Sequence, residues 1–131
     1  MQMCASVRSK GEEESENFNE TLHFYVDSGC SNHMINKNFL YNARNLENKK
    51  VMVANSNELS VSSAGDVDLN ILQKGQRKKM TIKNVEYVPD LCANLLSVRQ
   101  ITKSGKKVLF EKDVCKIFGA DAKIIACAET Q

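Results

Sequence analysis

The run Leu22-His23-Phe24-Tyr25-Val26 leads directly into Asp27-Ser28-Gly29. The first part reads as a strand rich in aromatic and β-branched residues, and the second as a tight corner that places a carboxylate at the strand's end. A carboxylate pushed into an apolar setting costs several kcal/mol unless its charge is used or neutralised. The triplet is therefore either ordinary turn chemistry, with Asp27 closing the strand through an Asx-turn, or the seat of a reaction. Asp-Ser-Gly occurs once in the 131 residues and Asp-Thr-Gly not at all. If the carboxylate works as one of a pair, a second chain must supply the other.

Outward from Leu22 the pattern is short apolar or alternating runs separated by turn residues, the signature of a mostly β domain. Strands are expected at 22–27, 31–35, 50–54, 58–62, 66–73, 79–88, 106–110, 114–118 and 123–127. Val67, Leu69 and Ile71 alternate with Asp68 and Asn70, which predicts a half-buried strand. Asn55-Ser56-Asn57 reads as a hairpin tip, because asparagine tolerates positive φ, and Gly75 marks a second turn. One helix is expected, from Asn94 as N-cap to about Ser104, with Gly105 as the residue that ends it. Residues 1–20 are polar, and Glu12-Glu13-Glu14-Ser15-Glu16 has nothing to bury. They are expected to be a disordered leader or linker ahead of a single domain at 21–131.

The length suits one domain of the usual roughly 100–200 residues. Apolar residues make up 42% of the chain and aromatics 6%, so the core must rest on Val, Ile, Leu and Met. The five cysteines are scattered, with no Cys-x-x-Cys pair, which points to a reducing, intracellular and cytoplasmic setting. No apolar stretch approaches the ~20 residues that span a bilayer, so no membrane partner is expected. The net charge of +2 does not argue for nucleic acid. Lys74, Arg77, Lys78 and Lys79 read as a solvated turn, and Lys103, Lys106 and Lys107 as a favourable helix end. Cys30 and His33 have half of a zinc spacing, but no second pair follows, so neither metal nor cofactor is expected.

Phe24-Tyr25-Val26-Asp27-Ser28-Gly29-Cys30-Ser31-Asn32-His33-Met34 and a second block, Val85-Glu86-Tyr87-Val88-Pro89-Asp90-Leu91-Cys92-Ala93-Asn94-Leu95-Leu96-Ser97-Val98, together carry a family resemblance. The chain resembles the aspartic proteases of Copia-type LTR retrotransposon Gag-Pol polyproteins, relatives of the retroviral retropepsins, over roughly residues 22–127. The resemblance implies a retropepsin-like closed β fold with one short helix in its C-terminal half. It also implies an aspartic endopeptidase that works as a homodimer, with Asp27, Ser28 and Gly29 of each protomer forming the catalytic site. Two carboxyl groups about 3 Å apart cannot both ionise, and the shared proton lets one act as base and the other as acid. Ala54, Asn55, Ser56 and Asn57 would belong to a flap over the bound peptide, and 114–118 with 123–127 to the dimer interface. The expected substrate is polypeptide, its own polyprotein, and virus-like particles are the implied compartment.

Three departures from the family pattern stand out: Cys30 in place of alanine, Ala93 in place of glycine, and a flap tip without glycine. The alternative reading keeps the fold and drops the chemistry. It is a catalytically silent dimerisation or peptide-binding module, domesticated or degenerate. A nucleic-acid-binding fragment of such an element is the weakest reading.

Overall fold

A computed structural model describes residues 1–7, 20–53 and 57–130. Among them, Gln2–Val7 (β1), Glu20–Asp27 (β2), Met34–Ile35 (β3), Ser63–Gln73 (β7), Gln76–Tyr87 (β8) and Asn94–Ser97 (β9) form a closed six-stranded barrel. The order around it is β1-β2-β9-β3-β8-β7, and Ser6 opposite Asn70 returns β7 to β1. Closure removes the unpaired edges that an open sheet would leave. Tyr41–Asn45 (β4) adds to the near end of β7, while Lys107–Phe110 (β10), Val114–Phe118 (β11) and Ile124–Glu129 (β12) form a meander that meets β1 through Gln2 and Glu129. Lys50–Val53 (β5) and Asn57–Ser60 (β6) pair only with each other, as a hairpin outside the barrel sheet.

Period-two patterning explains the interior. Leu22 and Phe24 of β2, Val67, Leu69 and Ile71 of β7, and Met80, Ile82 and Val85 of β8 turn inward, with Asp68 and Asn70 on the other face of β7 as the alternation requires. They share one core with Leu96, Ile101, Cys115 and Ile117. A smaller cluster of Met34, Val61, Val88 and Leu91 lies beneath the hairpin, packed by Val51, Val53 and Leu59. Lys74 and Gly75, both at positive φ, make the two-residue turn between β7 and β8.

Three expectations are corrected. Gln2–Val7, expected within the leader, is β1: Met3, Ala5 and Val7 alternate inward and are buried, so this stretch completes the barrel wall and the folded domain starts before residue 21. The polar composition of the neighbouring residues masked that alternation; residues 8–19 lie outside the described ones. The helix is shorter than expected, running Val98–Lys103 (α1) with Ser97 as N-cap, because Asn94–Ser97 is strand β9. Leu95 and Leu96 pair in parallel with Tyr25 and Val26, and the Asn94 side chain bridges His23 O (3.2 Å) and Asn36 N (2.9 Å) rather than capping a helix. Gly105, at φ 89°, does end it. The expected 31–35 strand is ordered as a strand only at Met34–Ile35, and β4 had no counterpart in the sequence reading. No helix among the described residues is long and apolar enough to cross a membrane.

Candidate functional site

Asp27 is the last residue of β2, half-buried, with Ser28 and Gly29 exposed beyond it. Its Oδ1 accepts the Gly29 N–H at 2.7 Å, so the carboxylate is stabilised by its own loop and by water rather than stranded in an apolar interior. Gly29 is not at positive φ; its missing side chain matters through space, since a Cβ there would lie 3.3 Å from Asp27 Oδ1.

The loop is fastened from behind. Ser97 is fully buried opposite Asp27 in the parallel pairing of β2 and β9. Its hydroxyl donates to Cys30 O (2.8 Å) and accepts from Gln100 N (3.2 Å), and its backbone N–H donates to His33 Nδ1 (2.9 Å). Gln100 Nε2 adds bonds to Ser31 O (2.8 Å) and Asn32 Oδ1 (3.1 Å). Residues 30–33 are thus held by the start of α1. Accepting that N–H requires a neutral imidazole, and burial, with the nearby Lys106 charge, lowers the His33 pKa to about 4. His33 is a structural acceptor. Burial, with the Asp27 charge, pushes the Cys30 thiol up to about 11, so it stays protonated beside the carboxylate.

In front of Asp27 opens a cleft of about 870 Å³ that reaches under the β5–β6 hairpin. Asp27 and Gly29 line it, with Met34, Val51, Met52, Val53, Leu91 and Leu95 giving it apolar walls. Of the expected flap residues, Asn57 lines the cleft, while Ala54, Asn55 and Ser56 lie outside the described residues. Ser28 is exposed on the loop and does not line it. Cys92 is exposed and lines the cleft, whereas Cys115 is buried.

The sequence reading missed two charged members of the same cleft. Glu86 of β8 is 1% exposed; its Oε1 accepts from Asn32 Nδ2 (3.3 Å). Its Oε2 has no hydrogen bond of good geometry and is answered instead by the Lys49 ammonium, 2.6 Å away, as an ion pair. A lone acidic residue inside the apolar run Val85-Glu86-Tyr87-Val88 was the available signal. Cys4 stands in register with His23, with its Sγ 3.1 Å from Nδ1. Among the described residues no group of three or more His, Cys, Asp or Glu side chains is placed to hold a metal ion.

No curated protein matches the chain. Residues 24–106, more than half of the sequence, match the model of the Pol polyprotein, beta-barrel domain. That span runs from the core of β2 through the Asp27 loop, the hairpin, β7 to β9 and α1. The chain belongs to the Pol polyprotein β-barrel domain family and is a region of a retroelement polyprotein.

Proposed function

We propose that the chain is the aspartic endopeptidase of a Copia-type element, active as a homodimer that cleaves its own polyprotein. The observation that carries this reading is the placement of Asp27. It ends a barrel strand, faces a peptide-sized cleft, and lies below a hairpin that belongs to no other sheet. An extended peptide could lie between hairpin and barrel, shielded from water by the hairpin. The exposure of Ser28 and Gly29 supports a shared site, because two such loops can meet only if both are at the surface.

In the dimer, a water between the two Asp27 carboxyl groups attacks the scissile carbonyl. The ionised carboxyl takes the water's proton while the protonated one gives its own to the carbonyl oxygen; as the C–N bond breaks, the first passes its proton to the departing amine and the second recovers one from the gem-diol, restoring the singly protonated pair. Ser28 is assigned to bonding across the two-fold axis. Gly29 gives its N–H to Asp27 and leaves room for the carboxylate.

The test is cleavage of polyprotein-derived peptides by the chain and by Asp27→Asn. Loss of cleavage in the variant, with specific activity rising with protein concentration, is the expected result. Equal cleavage by the variant would sink the mechanism, and concentration-independent activity would sink the shared site. Peptide binding without cleavage would favour the silent peptide-binding module.

A further inference from the structure

We propose that Lys49, held in place by Glu86, forms a subsite of the cleft that selects a substrate residue bearing a carboxylate, Glu or Asp. The inference rests on the peptide-cleaving reading of the cleft and adds the class of peptide it prefers.

Among the described residues, three charged side chains line the cleft: Asp27, Lys49 and Glu86. Asp27 is committed to the scissile bond. Glu86 is buried with both oxygens engaged, one by Asn32 and one by Lys49, so it has nothing left to offer a ligand. Asn32 donates to Glu86 and accepts from Gln100, which fixes its amide, and it carries no charge to select a carboxylate. Lys49 differs. Its side chain is 46% exposed, and its ammonium, with three N–H donors, is held by Glu86 as an ion pair. Lys49 lines a cleft whose apolar walls are Met34, Val51, Met52, Val53, Leu91 and Leu95.

The ion pair gives this donor a fixed position. A surface lysine usually samples many rotamers, but here the buried carboxylate cannot be left unpaired without a large penalty, so the ammonium is tethered at 2.6 Å. Lys49 also sits at the foot of the hairpin, where its carbonyl accepts from Val61 N (2.9 Å). A peptide laid along the cleft presents alternate side chains to each wall. A carboxylate among them would gain a charge-assisted hydrogen bond, an amide a weaker one, and a lysine or arginine would meet like charge. Glu86 behind the ammonium partly cancels its field, which keeps the preference for acid over amide at about tenfold.

The test is a positional peptide library, read as kcat/KM at low salt, for the unaltered chain, for Glu86→Gln and for the double variant Lys49→Met/Glu86→Gln. The double variant avoids stranding a buried carboxylate. One position should favour Glu and Asp over Gln and Asn by about tenfold and reject Lys. Glu86→Gln, which removes both the tether and the opposing charge, should change that ratio, and the double variant should abolish it. An acid preference that survives in the double variant, or none in the unaltered chain, overturns the subsite. The same peptides are also titrated by fluorescence anisotropy against Asp27→Asn. Discrimination in binding without cleavage by the unaltered chain would sink the protease and keep the subsite, and absence of both would sink both.

Discussion

Asp27 and Ser97 face each other across the parallel β2–β9 pairing, each the last residue of its strand. One strand runs on into the loop that carries the candidate carboxylate, and the other into α1. Ser97 ties the two exits together through Cys30 O, Gln100 N and His33 Nδ1. Ser97→Ala removes the helix cap and the bond to Cys30 while leaving the backbone bond to His33. A loss of about 1–2 kcal/mol is expected. It should appear as a lower urea midpoint with an unchanged slope. A midpoint equal to that of the unaltered chain would show that the hydroxyl does not fasten the loop.

His33 makes the same fastening sensitive to acid. Burial, aided by the Lys106 charge, lowers its pKa to about 4 from an ordinary 6.5. The unfolded chain therefore takes up the proton first. This contribution to stability is complete above pH 6.5, declines as pH falls toward 4, and is lost below that. A shift of this size corresponds to about 3 kcal/mol. His33→Asn should be less stable at pH 7 and should lack this component of the acid slope. Urea titrations of both proteins at intervals between pH 4 and 7 measure the difference; identical slopes would refute a buried neutral imidazole.

Patterning that is local could be read from the chain, and patterning that depends on partners could not. The alternation of Val67, Leu69 and Ile71 carries its own period, and the Asp27 corner its own turn chemistry. Asn94–Ser97 reads as the first turn of a helix because Leu95, Val98 and Ile101 recur at helical spacing; only the neighbours β2 and β3 make it a strand. Glu86 was invisible as a cleft residue for a similar reason, since its partner Lys49 comes from the foot of a distant hairpin and Asn32 from the Asp27 loop.

Gly65 tests how closely β4 approaches β7. A Cβ at Gly65 would lie 2.8 Å from Tyr41 O and 3.0 Å from Ala43 Cα, and both are backbone atoms that cannot swing away. The pairing with β4 and the pairing with β8 are both irregular beside this residue. Gly65→Ala should therefore destabilise by about 1–3 kcal/mol, as overpacking does, despite the higher intrinsic strand preference of alanine over glycine. Thermal and urea unfolding would show it, and a neutral or stabilising result would mean that β4 gives way easily.

The most direct check on the barrel lies in β1. Met3, Ala5 and Val7 face the core, whereas Cys4 points outward toward His23. Met3→Ala deletes buried volume in a closed wall and should cost about 2–5 kcal/mol. Cys4→Ser, one residue on, changes an exposed side chain and should stay within about 0.5 kcal/mol. Val7→Asp would bury a charge beside Leu22 and its neighbours with no partner, and should abolish cooperative folding. A disordered leader would be indifferent to all three substitutions. The alternation in their effects, measured by chemical unfolding of the full chain, distinguishes a barrel strand from a tail, and equal tolerance at residues 3, 4 and 7 would remove β1 from the fold.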